Sequence, residues 1–124
     1  ASGGELSRVM LALRSVLTRT DDVDTLIFDE IDTGVSGSAA EQIGRKLQSL
    51  AREKQVLCVT HLPQIAALAA NHLVITKSEA AGRTFTSLEK VSGEARVGEL
   101  ARLLSGNVVT DAARDAAREM LLAK

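Results

Sequence analysis

The chain has 124 residues, the length of one ordinary globular domain, and 45% of them are hydrophobic, which is enough to form a core. Lysine and arginine number 15 against 16 aspartate and glutamate, so the overall charge does not favour binding to nucleic acid or to an anionic membrane. No membrane-spanning run or signal peptide is visible. Phe28 and Phe85 are the only residues among Phe, Tyr and Trp, which excludes a stacking surface for bases.

The first segment, ASGGELSRVMLALRSVLTRT, predicts a helix with one apolar stripe of 3.6-residue period. We expect this stripe to face the core; it consists of Leu6, Val9, Met10, Leu13, Val16 and Leu17. DDVDT then predicts a turn. TLIFD predicts a short strand of the kind that a parallel sheet buries on both faces.

The middle of the chain predicts a second helix and a second strand. Ser38 and Glu41 form an S-x-x-E capping box before the next helix, and QVLCVT repeats the buried-strand pattern. Pro63 fits the first turn of a helix that continues through QIAALAA. A right-handed crossover in such a βαβ unit brings the carboxyl ends of both strands, at Asp29 and His61, to the same edge.

The last third of the chain predicts two further strands and two helices. HLVITK and RTFTSLEKV, joined by SEAAG, predict an antiparallel hairpin. Ala95 to Leu104 and Asp111 to Leu122 predict helices, the second capped by Thr110. The predicted fold class is therefore α/β, with a largely parallel sheet flanked by helices, a terminal strand pair and two C-terminal helices.

SGGE, Ser2 to Glu5, matches the S-x-x-E pattern, and its simplest interpretation is a capped helix start. Two glycines in a first helical turn each cost up to about 1 kcal/mol relative to alanine, so we expect a further reason for them. Glycine lets the backbone approach a ligand closely, and the free N–H groups of a helix start attract phosphate. A plain cap and an anion site are both open at this point.

Asp29 and Glu30 follow the apolar run TLIF directly. A polar strand exit, which is common at protein surfaces, would account for one acidic residue. Two adjacent acids directly after four apolar residues indicate a functional site more specifically. Because successive strand side chains point to opposite sides, neighbouring carboxylates can have different tasks. One can bind the shell of a magnesium ion associated with a phosphate chain, while the other polarises the attacking water.

His61 ends the strand that we expect beside the one carrying Asp29, at the edge where open α/β sheets bind ligands. We expect it to reach a γ-phosphate oxygen; the alternative is a packed or solvent-facing histidine. His72 has no acidic or glycine-rich neighbours, which indicates a structural role. Cys58, within VLCVT, is predicted to pack as a small hydrophobe in a reducing cytoplasm.

The motifs SGGE, TLIFDE, IDTGVSG and VTH, in this order, resemble the second half of an ABC-type ATPase head. Residues 1–5 resemble its signature motif, Thr25 to Glu30 its Walker B strand, and Ile31 to Gly37 its D-loop. His61 is similar to its switch histidine. Within that superfamily, ASGGELSRVMLALRSVL, FDEIDTGVSGSAA and VTHLPQIAALA resemble the RecN family of SMC-like bacterial proteins of DNA double-strand-break repair, and the similarity spans nearly the whole chain.

This resemblance implies particular roles at the nucleotide. Asp29 resembles the magnesium-associated Walker B acid, Glu30 the general base for ATP hydrolysis, and His61 the γ-phosphate sensor. Other residues resemble those that meet the nucleotide bound by the opposite head; they are Ser2, Gly3, Gly4 and Glu5 of the signature and Asp32 of the D-loop. Ala1 and Glu5 depart from the common LSGGQ and leave its Ser-Gly-Gly intact.

The phosphate-loop pattern G-x-x-x-x-G-K-S/T occurs nowhere in the sequence. We therefore expect residues 1–124 to be one domain, the C-terminal lobe of a head whose Walker A lobe lies N-terminal in the same protein. The resemblance implies ATP and Mg²⁺ as cofactors, an ATP-dependent homodimer of heads, DNA bound through the full-length protein and a cytoplasmic, nucleoid-associated location without a membrane. The fragment alone should be inactive.

Two other functions are open. The first is a noncatalytic association module that docks on a partner lobe or on a second copy. The second is a nuclease in which Asp29, Glu30 and Asp32 bind two metal ions, which would require carboxylates converging from several strands.

Overall fold

A computed structural model of the chain describes residues 3–17 and 22–123. They form two compact units, which divide after Leu68. The first unit contains α1 (Gly3–Leu17), β1 (Thr25–Phe28), α2 (Gly37–Leu50), β2 (Gln55–Cys58) and α3 (Pro63–Ala66). The second contains β3 (His72–Ala80), β4 (Arg83–Val91), α4 (Gly93–Ser105) and α5 (Asp111–Leu122). The single domain over residues 1–124 stays a prediction. In the described ranges no helix has the length and apolar character needed to cross a membrane.

In the first unit, β1 and β2 form a parallel pair connected through α2. Thr25 lies opposite Gln55 and Phe28 opposite Cys58, and the Val59 N–H donates to the Phe28 carbonyl (2.9 Å). The α/β class and the parallel strands are therefore confirmed. Because the strands run in the same direction, the residues that follow each of them lie at the same edge of the sheet.

The core of the first unit lies on one face of this two-stranded sheet. Leu26 and Phe28 are buried there against helical residues, whereas Ile27 is 72% exposed and its neighbour Leu57 is also exposed. The prediction that the β1 strand is buried on both faces is therefore wrong for this chain. The described helices of this unit cover the face of Leu26 and Phe28 and leave the side chains of the opposite face uncovered.

Helix α1 presents a different stripe to the core than its apolar pattern predicts. Leu11, 4% exposed, belongs to the core, whereas members of the predicted stripe are exposed. These are Leu6, Val9, Met10, Leu13 and Val16, the last 83% exposed; the Leu17 side chain lies outside the described part. The prediction of a core-facing stripe is therefore wrong here, because α1 is docked through Gly4, Ser7, Arg8 and Leu11 on another side.

Hydrogen bonds explain this docking of α1. Residues 29–35, which we name the post-β1 turn, follow the first strand directly. The Ser7 hydroxyl donates to the Asp29 carbonyl (2.6 Å), and Arg8 Nη1 donates to the carbonyls of Thr33 (2.7 Å) and Ile31 (3.3 Å). Since hydrogen bonds from a charged donor are stronger than neutral ones, Arg8 fixes the rotation of the helix against the turn.

Gly4 brings the helix start into close contact with the same turn. A Cβ added to Gly4 would lie 2.6 Å from Thr33 Cβ and 2.7 Å from the Glu30 carbonyl oxygen. Both distances are below what real Cβ contacts show, so no side chain fits at this position without movement of the backbone.

The helix ends agree with the sequence in part. Thr110 caps α5, since its hydroxyl accepts the Ala113 N–H (3.1 Å), as predicted. The capping box at Ser38 is wrong, because α2 begins at Gly37 with extended Ser36 as its N-cap and no side-chain capping bond. Pro63 does occupy the first turn of α3, but that helix ends at Ala66 and is shorter than predicted.

In the second unit, β3 and β4 form the predicted antiparallel hairpin, with His72 opposite Val91 and Ala80 opposite Arg83. The predicted SEAAG turn is too long, because its first three residues continue β3. Its two-residue turn consists of Ala81 and Gly82, both with positive φ (52° and 73°), as a type I′ turn requires. The helices α4 and α5 pack on each other through small and aliphatic residues. These are Val97, Leu100, Ala101, Ala113 and Ala117.

His72 is buried in the second unit, in agreement with its predicted structural role. Burial lowers the pKa of His72, the charge of Arg96 lowers it further, and Glu99 acts in the opposite direction. The folded state therefore binds the proton less tightly than the unfolded chain does. The contribution of His72 to stability is present at neutral pH and lost as the pH falls through the ordinary histidine range, about 6.5.

We expect His72→Gln to reduce the loss of unfolding free energy between about pH 7 and pH 5, because glutamine does not titrate there. Urea unfolding at several pH values measures this loss. His61→Gln is the matched control; it keeps His72 and should keep the His72 part of the decline. An identical decline in His72→Gln and the unsubstituted chain would contradict the assignment.

We expect Gly4→Ala to lower the free energy of unfolding by about 1–3 kcal/mol, as overpacking does, although alanine normally favours a helix by about 1 kcal/mol over glycine. The matched control is Gly98→Ala in α4, where a Cβ would meet only Arg114 Nη1 at 3.7 Å. That variant should be as stable as the parent or more so. Urea unfolding measures the stability of both variants, and hydrogen exchange of the α1 amides shows whether a loss is located in this helix. Equal stability of the two variants would contradict the close contact at Gly4.

Candidate functional site

The candidate site lies at the carboxyl end of the parallel strands and begins with Asp29 and Glu30. Both side chains are exposed, and Asp29 Oδ1 accepts the Glu30 N–H (2.8 Å). The Glu30 carbonyl accepts the Thr33 N–H (3.2 Å), and the Asp32 carbonyl accepts the Val35 N–H (3.3 Å). These bonds fold the post-β1 turn so that both acids stay at the sheet edge.

Glu30 has a left-handed backbone conformation, with φ of +58°. For a residue with a Cβ this conformation costs about 1–2 kcal/mol, so the surrounding contacts must hold it. The hydrogen bonds on both sides of Glu30, together with those from Ser7 and Arg8, supply these contacts. Strain of this kind is found most often at active sites and ligand clamps.

The glycines of the SGGE motif lie against this turn. A Cβ on Gly3 would clash with the carboxylate of Glu30, and Gly4 contacts the Glu30 carbonyl and Thr33. Close approach of the backbone to its own turn therefore explains Gly4, whereas at Gly3 the neighbouring atoms belong to the end of the exposed Glu30 side chain. Glu5 is exposed in the first turn of α1, and Ser2 lies outside the described residues. A phosphate site at this helix start stays a prediction.

Asp32 is a buried carboxylate, 4% exposed, that joins the post-β1 turn to the end of β2. Its Oδ2 accepts two hydrogen bonds, from the Thr60 hydroxyl (2.6 Å) and the His61 N–H (3.0 Å), and lies 3.1 Å from His61 Nδ1. Burial raises the pKa of Asp32, but these hydrogen bonds and the attraction to His61 outweigh it, so the pKa lies below its ordinary value. Asp32 is therefore ionised at neutral pH.

His61 follows β2 and turns its Nδ1 toward Asp32, while 76% of its side chain is exposed. The other ring nitrogen, Nε2, lies on the far side of the imidazole. The sequence places Asp29 and His61 at one edge, and the contact between Asp32 and His61 confirms that the two strand ends meet there.

Cys58, the last residue of β2, has the packing role that its sequence predicts. Burial raises the pKa of its thiol to about 11, and the negative charges of Asp32 and Asp29 contribute. A thiol with this pKa is almost entirely protonated at neutral pH, which excludes a nucleophilic role.

The structure also reveals contributors that motif matching misses. Ser7, Arg8 and Thr60 hold the turn and Asp32, and the sequence motifs assign a role to none of them, although Thr60 lies within VTH. A signal for two of them exists, since Ser7 and Arg8 are the polar residues on the side of α1 that contains Gly4 and Leu11.

The arrangement argues against the nuclease alternative, because Asp32 is not available as a metal ligand. Within residues 3–17 and 22–123 no group of three or more possible metal-binding side chains comes together. Asp32 is occupied by donors from Thr60 and His61, so only the exposed pair Asp29 and Glu30 is free to face a metal. Two-metal chemistry needs a larger set of carboxylates.

Comparison with curated proteins identifies relatives along nearly the whole chain; a scan against protein-family models gives no match. The DNA repair protein RecN of Bacillus subtilis is 49% identical over 121 residues, and RecN of Streptomyces coelicolor is 50% identical over 121 residues, each covering 98% of this chain and 21% of the relative. RecN of Treponema pallidum is 50% identical over 123 residues, covering 99% and 22%. The chain thus spans about one fifth of the length of these relatives.

A solved structure from work on "ATP-driven dimerization and DNA stimulated activation of SMC ATPases" shares the fold, with a TM-score of 0.61, 19% identity, and coverage of 87% of this chain and 65% of that chain. At this identity the likeness concerns the fold alone. In sequence, the chain is homologous to the C-terminal segment of the RecN DNA repair proteins.

Proposed function

We propose that this chain is the C-terminal half of an ATP-binding and ATP-hydrolysing head that acts in DNA double-strand-break repair and recombination. The observation that carries the proposal is the strained post-β1 turn. It presents Asp29 and Glu30 at the sheet edge beside Gly3, with the Asp32–His61 pair at the adjoining strand end. The 49% sequence identity to RecN of Bacillus subtilis, over 98% of the chain, supports it.

Glu30 has the properties of the general base in this proposal. Its carboxylate is exposed, and the left-handed backbone fixes the direction in which the side chain leaves the turn. A base must reach the attacking water within hydrogen-bond distance, and a backbone held by contacts on both sides provides that placement.

Asp29 is the residue that would hold Mg²⁺. One of its oxygens is engaged by the Glu30 N–H, and the exposed carboxylate has a second oxygen for an ion or its water shell. One carboxylate suits Mg²⁺, which keeps several waters and is bound in ATPase sites mainly through substrate phosphates. Bound Mg²⁺ and ATP would supply charge neutralisation and the phosphoryl group; Asp29 would hold the ion, and His61 would contact the terminal phosphate.

The complete site requires further polypeptide. We infer that an N-terminal Walker A lobe of the same protein binds the phosphates. Residues Ser2, Gly3, Gly4 and Glu5, with the turn around Asp32, would meet the ATP of a second head in a homodimer. DNA would be bound through the full-length protein, in the cytoplasm at the nucleoid. The solved SMC ATPase work concerns ATP-driven dimerization and DNA-stimulated activation of those proteins, which supports this assembly.

A noncatalytic association module is the second candidate, and the exposed apolar residues favour it for the isolated chain. Ile27 and Leu57 on the open sheet face, and Val9, Leu13 and Val16 on α1, are all exposed. Burial of such surface yields about 25 cal/mol per Å², so a partner lobe would be bound through it. The first candidate requires the partner lobe and hydrolysis, whereas the second requires a partner lobe or a second copy and no hydrolysis.

We expect Glu30→Gln, in the full-length protein that contains this chain, to reduce magnesium-dependent ATP hydrolysis by about 10²-fold or more while ATP binding survives, because the base is removed and the shape is kept. Phosphate release measures turnover, and light scattering with ATP measures dimerisation. Since hydrolysis separates the heads, the variant should accumulate as an ATP-dependent dimer.

The matched control is Glu41→Gln, because Glu41 is an exposed α2 residue that pairs with Arg45. Its turnover should equal that of the parent. Hydrolysis by Glu30→Gln at the parent rate would refute the base assignment. ATP-independent association without any turnover in the parent protein would favour the association module.

A further inference from the structure

The Asp32–His61 pair has a consequence for the proton positions on the imidazole. Asp32 Oδ2 is an acceptor only, because the pKa of this carboxyl lies below its ordinary value. At 3.1 Å from this acceptor, His61 Nδ1 is placed to donate, which favours the tautomer with its hydrogen on Nδ1. The Thr60 hydroxyl and the His61 N–H donate to the same oxygen (2.6 and 3.0 Å). These two hydrogen bonds hold the carboxylate in place independently of the imidazole ring.

A neutral imidazole with its hydrogen on Nδ1 has a bare lone pair on Nε2. Phosphate oxygens are acceptors, so a bare Nε2 cannot donate to them. Contact with a phosphate oxygen then requires a second hydrogen on Nε2, which makes the ring cationic.

We propose that Asp32 is a positioning residue for ATP hydrolysis: its buried carboxylate holds His61 through Nδ1–H, so that Nε2 is the nitrogen directed outward and meets the terminal phosphate as a charged donor. This inference rests on the proposed function for its phosphate partner. The orientation of the ring rests on the structure of this chain alone. Asp32 thereby has a task within its own head, in addition to the dimer seam that the resemblance implies.

Nitrogen-15 NMR of the imidazole rings in the 124-residue chain tests the orientation. The chain has two histidines, so His72→Gln leaves the His61 signals alone and assigns them. In the neutral ring we expect Nδ1 to carry the hydrogen and Nε2 to be bare. A neutral ring with its hydrogen on Nε2 in the unsubstituted chain overturns the proposal, whatever the ATPase measurements give.

Two variants separate the acceptor from the charge. In Asp32→Asn the Thr60 hydroxyl and the His61 N–H still require an acceptor, so we expect the amide oxygen there and the Nδ1–H form retained. Asp32→Ala removes the acceptor, and the preference for Nδ1–H should be lost. If Asp32→Ala does not fold, the unsubstituted chain and Asp32→Asn still show which nitrogen of His61 carries the hydrogen. Retention of Nδ1–H in a folded Asp32→Ala would show that another group orients the ring.

The catalytic consequence is tested in the full-length protein. We expect Asp32→Ala to lower kcat by roughly 10- to 100-fold with little change in KM for ATP, since a donor aimed at developing charge acts in the transition state. The double variant with His61→Ala should be no slower than His61→Ala alone, because both changes remove one contact. Asp32→Asn should lie between the parent and Asp32→Ala.

A purely structural role for Asp32 predicts a different pattern, in which the two substitutions lower kcat independently and multiply. That result, or parent kcat in a folded Asp32→Ala, overturns the catalytic part. Glu41→Gln again serves as the control with parent kcat. Failure of Glu30→Gln to reduce turnover would refute the proposed function instead, and the NMR result would still stand on its own.

Discussion

The organisation of the first unit depends on the buried carboxylate of Asp32. It accepts hydrogen bonds from the Thr60 hydroxyl and the His61 N–H and lies 3.1 Å from His61 Nδ1, so one charged group joins the turn after β1 to the end of β2. Burial of a charge is costly unless it is hydrogen-bonded, and these two donors supply hydrogen bonds. Loss of this carboxylate would leave the Thr60 hydroxyl and the His61 N–H without this acceptor at the edge where both strands end.

The helix α1 and the post-β1 turn form the second constraint. Ser7 and Arg8 bind carbonyls of the turn, and Gly4 allows the two backbones to approach closely. Glu30 keeps its left-handed conformation between these contacts. A shift of the helix start would therefore break the hydrogen bonds that hold the turn. Helix α1 and the acidic pair are thus parts of one structure.

The exposed apolar surface follows from the same docking. Polar contacts fix α1 through Ser7 and Arg8, so the apolar stripe with Val9 and Val16 is directed away from the core of its unit. The Ile27 side chain of β1 is likewise exposed, on the face of the sheet opposite the core. In a chain that matches about one fifth of its relatives' length, such surfaces agree with further polypeptide covering them.

The sequence by itself determined the order and type of the elements, the hairpin, the Thr110 cap and the edge at which Asp29 and His61 meet. These features depend on near neighbours, on side-chain periodicity and on the right-handed crossover of parallel strands. Only the tertiary structure decided which side of α1 faces the core, that Ile27 is exposed, and that Asp32 binds Thr60 and His61. Those outcomes depend on contacts between residues distant along the chain, about which a local pattern carries no information.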